Sequence, residues 1–343
     1  MPQEHVENAV DSYVTERMAA QHVPGLSLAV IHEGRVLRAR GYGLADVEQG
    51  VPATPDTVYQ IGSLTKQFTA VAVMRLVEQN KITLEESISR YLSGLPDAWG
   101  GVTVRHLLNH TAGIKSFTGL PDFLTRLAPY PAGRDQILAS VAGEPLEFAP
   151  GMRYAYSNTG YFLLGYVIEE VSGQPYAAFL HQNLFAPLGM DATRVNDPDD
   201  IIPCRASGYV WGEDRLWNAR PVSLDWVGSA GALVSTVLDL ARWDAALGSA
   251  GLLSEAGWEQ TWTPATLGDG TRTEYGFGWI VGNRRGCRTL SHGGGIPGFT
   301  AFMERLPCDG LTVIVLTNLS PADPAEIARS VVGLYVPGLD AAS

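Results

Sequence analysis

The sequence predicts an α/β (α+β) fold: a mostly antiparallel sheet flanked by helices, with a mainly helical domain inserted into it. Three observations predict it. Short apolar, strand-like runs gather towards both ends of the 343-residue chain, the stretch between them follows a helical apolar period, and Pro and Gly punctuate its long connections. Strands at both ends imply one sheet built from both termini. The expected division is a sheet domain from 1–80 and 205–343, a helical insertion at 81–204, and an active site between them.

Residues 3–22 form the first expected helix, striped by Val6, Val10, Tyr13 and Met18 and ended by Pro24-Gly25. Two strands follow, Leu26–Ile31 and Val36–Tyr42, joined as a hairpin at Glu33-Gly34. Residues 68–79 carry an apolar helical face of Phe68, Val71, Ala72, Met74, Leu76 and Val77. In the middle, Thr103–Leu108 opens one helix, and Tyr161–Val171 forms another that Ser172-Gly173 stops. Thr236, with Asp239 three residues on, reads as a capping box for a helix to about Leu247. Four strands complete the sheet, at Gly276–Val281, Arg288–His292, Thr300–Leu306 and Leu311–Thr317. A turn at Pro307-Cys308-Asp309-Gly310 joins the last two, and a closing helix spans Pro324–Tyr335.

Composition narrows the function. A hydrophobic share of 45% is ordinary for a soluble domain, and no apolar run approaches the ~18 residues of a membrane span. The opening Met1-Pro2-Gln3-Glu4-His5 lacks the basic-then-apolar pattern of a signal peptide. A net charge of −12 repels phosphate backbones and anionic membranes, so neither nucleic acid nor membrane is expected as a partner. The cysteines, Cys204, Cys287 and Cys308, are too few for a disulfide framework. Cys287 and Cys308 fall near neighbouring expected strands, but they read as buried free thiols, which points to a reducing, cytoplasmic compartment unless a leader has been removed.

Three motifs carry the chemistry. Ser63-Leu64-Thr65-Lys66 lies where a polar segment meets a helix, so serine and lysine share a face while helix amides surround the hydroxyl. That setting favours an alkoxide and lowers the lysine pKa. Alone, the pattern describes a capping serine with a solvated lysine better than it describes a catalytic pair. Tyr154-Ala155-Tyr156-Ser157-Asn158 follows the turn Pro150-Gly151 and presents a phenol, Tyr156, and an amide, Asn158, together. Ser291-His292-Gly293-Gly294-Gly295 ends an expected strand with a glycine run that lets backbone approach a ligand, so an N–H there and that of Ser63 could form an oxyanion hole.

In this order and spacing the motifs resemble the serine β-lactamase-like superfamily, in the branch that holds class C β-lactamases, D-alanyl-D-alanine carboxypeptidases, D-aminopeptidases and family VIII carboxylesterases. Val23-Pro24-Gly25-Leu26-Ser27, residues 107–113, residues 156–161 and Val315-Leu316-Thr317-Asn318 extend the likeness over most of the chain. The resemblance implies a two-domain fold with the site between the domains. It makes Ser63 the nucleophile, Lys66 and Tyr156 the base pair, Asn158 a substrate-orienting amide, and the Gly295 N–H the second oxyanion donor beside Gly294 and His292. Where β-lactamases of this branch carry Lys-Thr-Gly, this chain has His292-Gly293-Gly294. A histidine, neutral for much of its population near pH 7, favours neutral esters or amides over carboxylate-bearing β-lactams unless another cation, such as Lys115, compensates. The expectation is a cofactor-independent, metal-free serine hydrolase of carboxylesterase type. β-Lactamase, D-alanyl-D-alanine carboxypeptidase or D-aminopeptidase activity, or a sensor that acylates without turnover, are the alternatives.

Rival readings are weaker. Gly25-Leu26-Ser27-Leu28-Ala29 lacks the second glycine of an α/β-hydrolase elbow, so Ser27 reads as sheet packing. His106 and His110 have the spacing of a zinc pair, but no glutamate base lies between them. Phe117, Tyr209, Trp211, Trp226 and Trp243 either line the cleft or pack, and Asn318 ends a strand near the third motif.

Overall fold

The computed structural model describes residues 3–336; Met1 and Pro2, on which part of the leader argument rests, and residues 337–343 lie outside that range. The first helical stripe becomes α1 (Gln3–Gln21), followed by the strands β1 (Gly25–His32), β2 (Arg35–Asp46) and β3 (Val51–Pro52). The motif helix is α2 (Thr65–Glu78). The middle of the chain supplies α3 (Val104–Leu108) and α4 (Asn158–Ser172), and α5 (Val237–Ala246) leads back towards the sheet. The chain closes with β4 (Ile280–Arg284), β5 (Cys287–Ile296), β6 (Phe299–Leu306), β7 (Leu311–Thr317) and α6 (Pro324–Tyr335).

The strands form one antiparallel sheet in the order β3-β2-β1-β7-β6-β5-β4, so the two ends of the chain meet where β1 pairs β7, from Leu26 opposite Thr317 to His32 opposite Leu311. Successive strand residues face opposite ways. Leu26, Leu28, Val30, Val313 and Val315 pack with Val10 and Val14 of α1 and Ile327 and Val331 of α6. Ala29, Ile31, Ile314 and Leu316 face the other layer, which holds Phe68, Val71 and Ala72 of α2. Burial on both faces explains why β1 and β7 read as continuous apolar runs rather than alternating ones.

Helix ends follow local chemistry. The Thr236 hydroxyl accepts from the Asp239 N–H and starts α5, and Gly173 ends α4 in the left-handed conformation at φ 70°. The segment 81–204 is not purely helical: Arg194–Val195 pairs with Leu233–Ser235, which also pairs with Tyr59–Gln60. Its helical core merges with that under the sheet, since Leu163, Leu164 and Ile168 of α4 share one cluster with Phe68 and Val71. Among the described residues no helix is long and apolar enough to cross a membrane.

Two expectations need correction. The strand expected at Gly276–Val281 begins only at Ile280, because Gly278 has φ 79° and lies so close to α2 that a Cβ there would sit 2.7 Å from the Lys66 carbonyl oxygen. Cys287 and Cys308 are not free thiols; they form a disulfide with Cα atoms 6.1 Å apart. The β5–β6 register, in which Leu290 faces Arg305, runs on to set them opposite each other at the open end of the hairpin. Cys204 alone is free, and it is exposed. The cysteine argument for a reducing compartment therefore falls away.

Candidate active site

Ser63 sits in a single 3₁₀ turn, Gly62–Leu64, that runs directly into α2. The turn is pressed against the glycine run of β5. Gly62 has φ 50°, and a Cβ on it would lie 2.7 Å from the Gly295 nitrogen. A Cβ on Gly294 would collide with the Ile61 carbonyl and come within 3.2 Å of the Ser63 nitrogen. Only glycine at both places lets the two backbones meet. The third motif is thus brought to the first, and Ser63 and Gly295 line one cavity.

Lys66, in the first turn of α2, is fully buried. Its Nζ lies 3.0 Å from Ser63 Oγ, 2.8 Å from Asn158 Oδ1 and 2.7 Å from the Ala230 carbonyl oxygen. Burial holds its pKa well below the usual lysine range. The amide and carbonyl oxygens can only accept. A neutral amine donates its two hydrogens to them, which leaves its lone pair for the Ser63 hydroxyl proton. Asn158 is fixed in turn: its N–H donates to Ser116 Oγ at 3.1 Å and its Nδ2 to Thr118 Oγ1 at 3.0 Å. It is the first residue of α4, not its cap; Ser157 holds the cap position but donates its hydroxyl to the Ile114 carbonyl.

Tyr156 brings its ring centroid to 4.8 Å from Lys66 Nζ, and its phenol lies near enough to Ser63 for the serine to pull its pKa down. Burial raises its pKa, and the Ser63 contact only partly offsets that, so the phenol keeps its proton at neutral pH. Behind it stands a wall the sequence reading did not identify: His110, Tyr154, Tyr161 and Tyr275, with His110 ring centroids 4.2 Å from Tyr156 and 4.6 Å from Tyr275. His292 belongs to this wall rather than to the open cleft. It is buried, its Nδ1 lies 2.6 Å from the Gly293 carbonyl, and its Nε2 lies 2.8 Å from the Tyr275 hydroxyl. A carbonyl can only accept, so Nδ1 carries the proton and Tyr275 donates to Nε2. Burial, with the nearby Lys66 charge second, pushes the His292 pKa down to about 3. The position held by lysine in β-lactamases of this branch is therefore uncharged here.

Other candidates fall away from the site. Lys115 does not compensate for the missing cation; its Nζ pairs with Glu144 at 2.9 Å. Asn318 turns to β2 and donates to the Leu44 and Ala45 carbonyls. His106 Nδ1 accepts the Thr103 N–H as part of a helix cap, and His110 Nδ1 accepts the Ser157 N–H. Among the described residues no group of three or more His, Cys, Asp or Glu is placed to hold a metal ion. The Ser27 hydroxyl packs inside the sheet, donating to the Thr54 carbonyl. Tyr209 and Trp243 are buried elsewhere, and Trp211 stacks on His22. Phe117 and Trp226 do line the cleft: with Phe123, Leu124, Val222 and Ile296 they wall a cavity of about 250 Å³ beside Ser63 that, among the described residues, has no charged side chain in its lining.

Comparison with known proteins finds relatives that match most of the chain. A family model described as Beta-lactamase matches residues 10–335. "Penicillin-binding protein 4*" of Bacillus subtilis is 32% identical over 88% of this chain and 70% of its own length. "Protein flp" of Staphylococcus aureus is 26% identical over 91% of this chain and 63% of its own length, so the chain spans roughly two thirds of these longer relatives. The octameric penicillin-binding protein homologue from Pyrococcus abyssi superposes with a TM-score of 0.81 at 31% identity, covering 96% of this chain and 77% of that one. The D-amino acid amidase from Ochrobactrum anthropi SV3 superposes with a TM-score of 0.84 at 27% identity, covering 96% and 98%.

Proposed function

The chain belongs to the beta-lactamase family, serine hydrolases of that fold, and on that premise we propose that it cleaves neutral esters or amides of carboxylesterase type through an acyl-enzyme on Ser63. The observation that carries the reading is the buried Lys66 amine, whose two fixed acceptors leave its lone pair for Ser63 Oγ.

Lys66 takes the Ser63 proton as Oγ attacks the acyl carbonyl. The N–H groups of Ser63 and Gly295 receive the oxyanion, an arrangement in which each donor is worth about 3–4 kcal/mol. Tyr156, held neutral by burial, gives its proton to the departing oxygen or nitrogen and regains one from the Lys66 ammonium. Water then attacks the acyl-enzyme with the same pair acting as base, releasing the acid and restoring Ser63. Asn158 keeps Lys66 in place and turns its second Nδ2 hydrogen to the substrate carbonyl.

The preference for neutral substrates rests on the uncharged His292 and on a cavity beside Ser63 without a fixed cation. The test is a comparison of kcat/KM for p-nitrophenyl butyrate and nitrocefin: the ester is expected to be the faster substrate, and the reverse order overturns the preference. Two amide-hydrolase structures among the neighbours favour amides of D-amino acids as a second reading. Such a substrate carries an ammonium, and no carboxylate lines the cavity beside Ser63 among the described residues, so this reading ranks below the first. Mass spectrometry after fluorophosphonate treatment, followed by steady-state turnover, separates an enzyme from a sensor that acylates and stops.

A further inference from the structure

Beyond the 250 Å³ cavity lies a larger one of about 830 Å³. Val222, Ile296 and Pro297 line both, and Ile296-Pro297 follow Gly295 directly in the chain, so the two cavities adjoin at the β5–β6 turn beside Ser63. Tyr156, the proton donor to the leaving atom in the reading above, lines neither cavity. Both compartments therefore lie on the acyl side of the scissile bond. The linings differ. The near compartment is aromatic and aliphatic, whereas the far one holds Asn196, Asp197, Arg205 and Asp225. Arg205 Nη1 donates to Asn196 Oδ1 at 3.4 Å and to the Asp197 carbonyl at 3.2 Å, and Asp225 Oδ2 accepts from the Ala132 N–H and the Ser223 hydroxyl, each at 3.0 Å. One cation against two carboxylates selects hydrogen-bonding groups more than a net charge.

We propose that the two cavities form one acyl-binding channel, and that the enzyme acts on extended acyl donors: an apolar, preferably aromatic segment next to the carbonyl, followed by a polar, amide-bearing tail. This rests on the serine-hydrolase reading and deepens it. Leaving-group chemistry is held constant by comparing p-nitrophenyl 3-phenylpropanoate with its analogue extended at the ring para position by an N-acetylglycylamino group. The wild-type enzyme is expected to prefer the extended ester by about tenfold or more in kcat/KM. Ala219→Trp, which fills the far cavity, is expected to erase that ratio. Because the ratio is internal to each preparation, a partly misfolded variant does not distort it. If the variant fails to fold altogether, product inhibition of the wild-type enzyme decides: the extended acid should inhibit short-ester hydrolysis about tenfold more tightly than 3-phenylpropanoate. Equal kcat/KM for the two esters, equal inhibition by the two acids, or a preference that survives Ala219→Trp overturns the proposal. Hydrolysis of both esters by Ser63→Ala would instead sink the serine reading, so the two failures are distinguishable.

Discussion

On one side of Ser63, the polar atoms of Lys66, Asn158 and His292 are tied to named partners, burial keeps the histidine and phenol neutral, and the groups lie within a few ångströms of one another. On the other, Phe117, Phe123, Trp226 and Val222 leave open space and offer a substrate little but apolar surface and shape. The first side is organised to move protons and tolerates no rearrangement. The second is organised to be filled. The difference teaches that reaction type and substrate choice are specified by separate residues here, so substitutions should separate them too.

The sharpest break is Ser63→Ala, expected to lower kcat by about 10⁴-fold or more while binding of an uncleaved acyl analogue persists, as titration calorimetry would show. Next is Lys66→Met, with a loss of about 10²–10⁴-fold in kcat. Its stability should not suffer. The folded-state lysine pKa is depressed, so at pH values between the folded and unfolded pKa the unfolded chain holds a proton that folding expels, and chemical denaturation there should find the Met variant at least as stable as wild type. Tyr156→Phe should lower kcat by about 10²-fold with KM little changed, and it should hurt substrates with poor leaving groups most. Trp226→Ala works on the other side: kcat/KM for aromatic acyl esters is expected to fall by about tenfold or more, and that for p-nitrophenyl acetate far less.

The smallest effect sharpens the electrostatic half. The His292 pKa is depressed to about 3, so between about pH 3 and 6.5 the unfolded chain binds more protons than the folded one, and stability rises with pH through that window. The slope contributed approaches about 1.4 kcal/mol per pH unit. His292→Gln should flatten it in denaturation curves taken between pH 4 and 6. An unchanged slope would assign the wild-type pH dependence to other groups.

Legibility in the sequence follows the same division. The sheet from both termini, α6 from Pro324 to Tyr335 and the capped start of α5 were readable because period and capping are local. Ser63 and Lys66 were readable because three residues of helix spacing bring them together. Tyr156, Asn158 and the glycine run needed a family pattern, since nothing local says that they meet. The Ala230 carbonyl on Lys66 left no signal, because any residue has one. The spacing of His110 from His106 suggests only a zinc pair or a structural turn, neither of which points to its place in the aromatic wall, and Tyr275 stands in no motif. The apolar run at Gly276–Val281 gives no sign of the left-handed turn at Gly278, which delays the strand to Ile280. The chain-wide cysteine count points to free thiols because the hairpin register that sets Cys287 against Cys308 is not local to either residue.

That bridge gives the active site a mechanical lock. It closes a loop with a sequence separation of 21 at one end of the hairpin whose other end carries Gly294 and Gly295. Loop-closure entropy alone puts its stabilisation at about 3 kcal/mol. A one-residue slip of β5 against β6 would turn every side chain to the opposite face and carry the Gly295 N–H away from its place beside the Ser63 turn. With the cysteines joined, such a slip must strain a covalent bond, so the distance from nucleophile to oxyanion donor is held from the far end of the strand, and reduction should loosen that gauge before it unfolds the protein.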